Sequence, residues 1–294
     1  AAVDKMMEFA AKYTDKTWSP APGIFIYHAK FFVDGVMQSP INTASLLEPY
    51  RHNVGTKENP RYEPSTRKGD LYYPNELLTA LITTVSERGF HPHMHTVADG
   101  AIEVTLDAIE HMRSKLPGKD IRPSLAHNEL TSPHQFKRFK ELQAMPCLSY
   151  QWAGYTQEFA DDMRNILGDE RFENLEPAGK FYDAGVRVAF GSDWPIDPLN
   201  EWFDFKVAVT RKGEAPNNPR LDTDRDVTLN EVLRSATIEA AYMIAADQYV
   251  GSLEPGKFAD YIILDRDVFK NAPEDIENVK IEKTFVGGKE VYSA

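Results

Sequence analysis

The residues best suited to chemistry in this sequence stand at the C-terminal ends of predicted β-strands. Four of them carry metal-competent or proton-transferring side chains: Lys30, His95, His127 and Asp193. Each follows the previous one by one or two strand–helix repeats, the spacing at which parallel strands return to the same rim of a barrel. One histidine at a strand end is a weak indication, whereas four such residues on one rim predict a single polar site.

Predicted helices and strands alternate over most of the chain. Apolar residues at helical spacing predict helices at residues 3–13, 75–88, 98–115, 133–142, 201–210 and 229–246. Runs of β-prone residues occupy 24–33, 90–95, 121–127, 145–150 and 186–190. This alternation predicts βαβ units and a parallel sheet, which would place the ends of the strands at one edge.

Two stretches interrupt the alternation. Residues 48–75 are polar and rich in proline, and a loop of that length inside a compact chain is usually functional. The stretch that follows Tyr150 is predicted to be irregular until a helix that ends at Gly185. In a hydrolase, we expect the 48–75 loop to help shape the pocket.

The tail of the chain changes character. Residues 261–264 and 280–286 are β-prone, and Gly287-Gly288 forms a tight turn, with no helix between these segments. We therefore predict a small antiparallel β appendage and divide the chain into residues 1–250, a partial barrel with the catalytic site, and 251–294.

Composition excludes several classes of protein. The 294 residues are 42% hydrophobic, which provides for a packed core and argues against disorder. The net charge of −12 argues against nucleic acid as the main partner, and no apolar run reaches the length of a membrane span. The single cysteine, Cys147, excludes an internal disulfide and a cysteine-rich zinc site, and we expect it to be a buried structural thiol.

Several motifs resemble those of the amidohydrolase superfamily. The resemblance is closer to its family 3 group, which includes N-substituted formamide deformylase and exoenzyme-regulator proteins. The similar stretches are residues 30–36, 95–99, 126–127, 149–151, 191–195 and 251–260. The last of these, Gly-Ser-Leu-Glu-Pro-Gly-Lys-Phe-Ala-Asp, is the most specific match. The resemblance implies an α/β fold, the (β/α)8 (TIM) barrel of metal-dependent hydrolases, present here as strands 4–8 with the C-terminal strands of a small β-sandwich.

The resemblance also implies a role for each site residue. Lys30 would be the strand-4 lysine that is carboxylated to bridge two metals, and His95 and His127 would be the ligands from strands 5 and 6. Asp193 would bind metal and take the proton from the attacking water. The cofactor would be a divalent metal, one or two zinc ions, because imidazole and carboxylate suit zinc. Residues expected near the ligands or the substrate are Asp99, Gln151 and Trp194; for Asp99, a charge at a helix N-terminus is the alternative.

The sequence departs from the family pattern in three places. Ala98 and Ala126 replace a usual glycine and a usual glutamate. The His-x-His pair of the first barrel strand has no counterpart, because the sequence before residue 24 has room for one helix only. We therefore expect the C-terminal portion of a longer protein, with its open sheet covered by a missing N-terminal segment or by a second copy. This chain alone would be inactive if those histidines are required.

Three functional hypotheses follow. The first is a hydrolase that uses metal-activated water on a small molecule with an amide, formamide or carbamate group. Trp152, Tyr155 and Trp194 would line its pocket, or else pack in the core. The alternative is an incomplete barrel with a binding or regulatory role, favoured by the absent histidines and the two alanines. A deaminase on the same scaffold is a third, less favoured because such enzymes usually lack the strand-4 lysine.

Overall fold

A computed structural model describes residues 2–215 and 217–294. Its centre is a five-stranded parallel sheet in the order β1-β4-β5-β6-β7, with one further antiparallel pair and a three-stranded antiparallel sheet. The strands are β1 His28–Phe32, β2 Arg51–Asn53, β3 Tyr62–Pro64, β4 His91–Thr96, β5 Ser124–His127, β6 Met145–Leu148, β7 Ala189–Phe190, β8 Tyr261–Leu264, β9 Ile281–Val286 and β10 Lys289–Ser293. The parallel sheet and the C-terminal antiparallel sheet are both as predicted.

Helices separate the parallel strands. They are α1 Ala2–Tyr13, α2 Asn75–Glu87, α3 Asp99–Lys115, α4 Pro133–Leu142, α5 Gln157–Leu167, α6 Asp169–Phe172, α7 Ala178–Asp183, α8 Glu201–Thr210, α9 Leu229–Ala236 and α10 Ile238–Met243. Short 3-10 helices lie at Tyr150–Ala153, Val268–Lys270 and Pro273–Asn278. No helix in the described part of the chain has both the length and the apolar character needed to cross a membrane.

The two faces of the parallel sheet differ in chemistry. Phe31, Met94 and Leu125 point into a core that also contains Ile82 of α2 and Phe139 of α4. Because side chains alternate along a strand, the neighbouring positions lie on the opposite face. Parallel pairing aligns these positions in two rows across the sheet. The first row contains Lys30, His93 and Ser124. The second row contains Phe32, His95, Ala126 and Cys147. Cys147 is buried, as expected.

Several predicted segments differ from the structure. The strand predicted over 186–190 is only Ala189–Phe190, and two 3-10 helices lie between β8 and β9. The helix predicted over 229–246 is two helices, because Thr237 leaves the helical conformation with φ −120° and ψ −94°. The stretch predicted as irregular contains α5, whose N-cap Thr156 accepts a hydrogen bond from the backbone N–H of Phe159. Burial of Met163 and its neighbours on one side of α5 stabilises this helix.

The polar stretch 48–75 is less irregular than its composition indicates. It contains the antiparallel pair β2–β3, and Arg51 donates a hydrogen bond to the Tyr62 carbonyl at 2.6 Å. Beyond residue 250, β8 to β10 form the antiparallel sheet, with Gly287 and Gly288 both at positive φ in the turn. Ile276, however, is buried in the main core. The division at residue 250 stays a prediction.

The core supports a direct test. Phe139 is fully buried and contacts Phe181 edge-to-face, with ring centroids 5.0 Å apart. Phe139→Ala should lower the free energy of unfolding by about 3–5 kcal/mol, because it removes apolar burial and leaves a cavity. Urea denaturation measures this, with Phe9→Ala on the exposed side of α1 as the matched control. Equal losses in both variants would contradict the assignment of this core.

Candidate functional site

A cavity of about 770 Å3 opens at the C-terminal ends of the parallel strands. Its lining brings together the four residues that the sequence singled out, Lys30, His95, His127 and Asp193. Of the three residues expected near them, Gln151 and Trp194 also line it. The remaining wall is mainly apolar and aromatic, formed by Phe32, Val36, Val97, Trp152, Tyr155, Phe159, Pro195 and Ile196. A few polar groups therefore share a mainly apolar pocket, which is the usual pattern of a small-molecule site.

The two histidines are in direct contact. Their rings are edge-to-face, with centroids 4.4 Å apart. His95 Nε2 lies 3.0 Å from the Gly35 carbonyl oxygen. Because a carbonyl only accepts, Nε2 carries the proton in the neutral ring, and Nδ1 keeps its lone pair. His127 ends β5 in the left-handed region, at φ 80°, and its Nδ1 is buried without a hydrogen-bond partner among the described residues.

Burial keeps these imidazoles neutral. It lowers the pKa of His127 to about 2, with the charges of His95 and Lys30 acting in the same direction. It lowers the pKa of His95 as well. Neutral imidazole is the form that binds metal. The pKa of Lys30 is also lowered, chiefly by desolvation of its ammonium group, while Cys147 and Asp193 act in the opposite direction.

Asp193 lies on the segment that follows β7. Its backbone is in the left-handed region, at φ 58°. Partial burial raises the pKa of its carboxyl, whereas Lys30 and His95 lower it. Asp193 is thus close to both a lysine and a histidine of the same cavity, as an acid–base group needs to be.

Two buried carboxyl groups that the sequence did not single out lie beside the histidines. Asp34 accepts hydrogen bonds from the backbone N–H groups of Val97, Ala98 and Ser45, at 2.9, 3.2 and 3.0 Å. Its Oδ1 is 3.8 Å from His95 Nε2. Burial raises the pKa of Asp34 to about 7. The sequence feature that could have identified Asp34 is its position just after an apolar strand, within the 30–36 motif.

Glu129 is the second of these carboxyl groups, and it lines the cavity. Its Oε2 accepts a hydrogen bond from Gln38 Nε2 at 3.2 Å. Burial and the nearby Asp34 raise the pKa of Glu129 to about 8. The sequence does not distinguish Glu129 from a surface glutamate, because its position in the cavity depends on the turn after His127.

Asp99 is outside the cavity lining. It is buried at the start of α3, where Oδ1 accepts from the Leu47 N–H at 2.9 Å and Oδ2 from Ser132 Oγ at 2.7 Å. These contacts join three loops and suit a carboxylate at a helix N-terminus. Its orienting role at the site stays a prediction.

The donor groups of the cavity bear on metal binding. No group of three or more His, Cys, Asp or Glu side chains within residues 2–215 and 217–294 is arranged to hold a metal ion. The residues that fit a divalent cation are the neutral His95 and His127, the latter with a buried unpartnered Nδ1. Lys30 as a carbamate and Asp193 would supply the oxygen donors.

Comparison with known proteins identifies the family to which the chain belongs. The model of the amidohydrolase family matches residues 4–292. The chain is 25% identical over 92% of its length to protein LONG AFTER FAR-RED 3 of Arabidopsis thaliana, and 29% identical over 76% to N-substituted formamide deformylase of Arthrobacter pascens. It covers 43% and 40% of those two proteins, so it spans less than half of their length.

Solved structures give the fold. An uncharacterized metal-dependent hydrolase from Pyrococcus furiosus matches with a TM-score of 0.67 and 26% identity, over 92% of this chain and 49% of that one. The sheet and helices therefore form part of a (β/α)8 barrel with an antiparallel sheet, which confirms the predicted fold class.

A buried acidic group on α8 gives a test of the electrostatics. Asp204, in the first turn of α8, is buried, and its Oδ2 has no hydrogen-bond partner within the described chain. Burial raises the pKa of Asp204 to about 7, with Glu201 and Asp197 adding to the effect. Because the folded pKa exceeds the unfolded one, the native state favours the protonated carboxyl, and ionisation destabilises the fold as pH rises from 4 to 7.

Asp204→Asn removes this ionisation. Relative to the wild type, the variant should gain stability progressively between pH 4 and 7 and keep a constant difference above pH 7. We expect a total change of about 3–5 kcal/mol in the free energy of unfolding, because each unit of pKa shift corresponds to about 1.4 kcal/mol. Urea denaturation at several pH values measures this change. The exposed Asp107→Asn is the control. A difference that does not change with pH would contradict the raised pKa.

Proposed function

Because the chain belongs to the amidohydrolase family, we propose that it forms the catalytic half of a metal-dependent hydrolase that cleaves carbon–nitrogen bonds other than peptide bonds. The resemblance found in its motifs is thereby confirmed as a family relationship. The observation that carries the proposal is the meeting of Lys30, His95, His127 and Asp193 in one cavity, with neutral, partly unpartnered imidazoles. The proposed substrate is a small molecule with an amide, formamide or carbamate group.

The charges around the cavity support a cation there. Asp34, Glu129 and Glu176 are buried carboxyl groups whose pKa values are all raised by burial. The buried Arg211 donates to the backbone carbonyl of Glu176 and not to its carboxylate. A bound divalent cation would offset this concentration of carboxyl groups and would favour their ionised forms.

His95, His127 and a carboxylated Lys30 would hold the cation, with Asp193 as a further oxygen ligand. When bound, it supplies Lewis-acid polarisation of a carbonyl and makes water more acidic. Asp193 takes a proton from the attacking water as the water oxygen bonds to the carbonyl carbon. The same carboxyl then returns the proton to the nitrogen as the carbon–nitrogen bond breaks. The products are an amine and a carboxylic acid, or an amine and a carbonic acid monoester when the substrate is a carbamate.

The apolar wall of the cavity supports an organic substituent on the substrate. Trp152, which stacks on His127, and Tyr155 both line the cavity, while Trp194 is 62% exposed. The relative named N-substituted formamide deformylase acts on a formamide by its name. A formamide with an N-substituent is therefore the first substrate to test.

Metal binding is the first prediction of this proposal. The purified chain should bind Zn2+ in isothermal titration calorimetry. Loss of an outer-shell partner typically weakens metal affinity about 10-fold. His127→Ala should weaken Zn2+ affinity by more than that, because it removes a direct donor. His111→Ala, on the exposed side of α3, is the matched control and should leave the affinity unchanged. Equal binding by all three proteins would count against the proposed site.

Hydrolysis is the second prediction. In the complete protein, amine release from an N-substituted formamide should fall about 10²–10⁴-fold in Asp193→Asn, because the variant lacks the group that accepts the water proton. Asp107→Asn should keep the wild-type rate. Zn2+ binding without hydrolysis of any amide, formamide or carbamate would favour the alternative, an incomplete barrel with a binding or regulatory role.

A further inference from the structure

The segments that follow β6 and β7 are joined by side-chain hydrogen bonds. Ser149 Oγ donates to the Gly191 carbonyl at 2.7 Å, and Gln151 Nε2 donates to the Ser192 carbonyl at 2.7 Å. Gly191 and Ser192 immediately precede Asp193 in the chain. The two bonds therefore fix the backbone on which Asp193 stands.

One carboxylate on the second segment joins these contacts to the histidines. Asp197 Oδ2 accepts from Gln151 Nε2 at 3.2 Å and from Trp152 Nε1 at 2.7 Å. The ring of Trp152 stacks on His127, with centroids 5.1 Å apart and an interplanar angle of 11°. His127 also contacts His95, whose ring approaches it edge-to-face.

The orientation of the His127 ring depends on this stacking. His93 Nδ1 is hydrogen-bonded to Ser124 Oγ at 2.7 Å, and His95 Nε2 is bonded to the Gly35 carbonyl. His127 Nδ1, in contrast, has no hydrogen-bond partner within the described chain. Its ring plane is therefore set by packing between Trp152 and His95. Trp152 is in turn held by the bond from its Nε1 to Asp197.

We propose that Asp197 is a positioning residue of this site, which fixes the ring plane of His127 through Trp152 and the backbone of Asp193 through Gln151. The positioning of the His127 ring and the Asp193 backbone is inferred from the contacts alone. Its effect on metal binding rests on the proposed function. Outer-shell groups of this kind set the direction of a ligand's lone pair and are known to affect metal affinity. One carboxylate oxygen suits the task, because it accepts two N–H donors at once.

The geometry is tested without metal by NMR of the purified chain. The chain has four tryptophans, and Trp152→Phe identifies the indole N–H signal of Trp152. In Asp197→Ala, we expect that signal to move upfield and to exchange with water at least about 10-fold faster, because its carboxylate partner is lost. The ring signals of His127 should shift as well. Asp197→Asn, which keeps one acceptor oxygen, should show smaller changes.

Internal and external controls separate positioning from general damage. His28 and His91 contact each other at the opposite end of the sheet, with ring centroids 5.0 Å apart, and their signals should stay in place. Asp107→Asn should alter none of these signals. Unchanged Trp152 and His127 signals in the folded variants would overturn the proposal, as would shifts of equal size at His28 and His91. If Asp197→Ala does not fold, Asp197→Asn decides.

Metal affinity gives the functional consequence. Asp197→Ala should weaken Zn2+ binding about 10-fold, and Asp107→Asn should not change it. Wild-type affinity in Asp197→Ala would overturn the positioning role. If the wild-type chain itself binds no Zn2+, the proposed function fails, and the Trp152 and His127 signals alone then decide whether Asp197 orients this ring.

Discussion

The in-register pairing of the five parallel strands is the constraint on which the rest of the structure depends. The pairing places Phe32, His95, Ala126 and Cys147 in one row, so their side chains lie on the same face of the sheet. One face is apolar and covered by helices, while the other carries Lys30, His93 and His95. His127 pairs with Thr96 at the end of β5, where the backbone has a positive φ. A slip of one residue in β4 would send His95 into the core and Met94 into the cavity. The site therefore depends on correct pairing more than on any single contact within it.

Much of this arrangement could be predicted from the sequence, because strand ends and helix caps carry local signals. The helix Glu201–Thr210 has the predicted bounds. At the start of α9, Thr228 and Glu231 form a capping box, which is a signal local to four residues. The four polar residues at strand ends also share one cavity, as the barrel spacing requires. These features depend on periodicity and on short-range hydrogen bonds, which the chain specifies over a few residues.

Other features depend on contacts that no local pattern records. The break at Thr237 and the helix α5 were not predicted. Helix α5 is stabilised by the burial of Met163 and its neighbours, which a local pattern does not show. Asp34 became important only when the loops around Ser45 and Val97 directed their N–H groups at it. Asp197 is similar, because its partners Gln151 and Trp152 follow a different strand. Such residues are ordinary acidic loop residues until the tertiary structure is known.

Some of the unfavourable features of the fold occur among the polar groups of the cavity. His127 and Asp193 both have a positive φ, a conformation that costs about 1–3 kcal/mol for a residue with a side chain. His127 Nδ1 and Gln151 Oε1 are buried without partners in the described structure. A core selected for stability alone would have removed these penalties. Such penalties are expected where side chains must stand at fixed angles to a ligand, because orientation there takes priority over local stability.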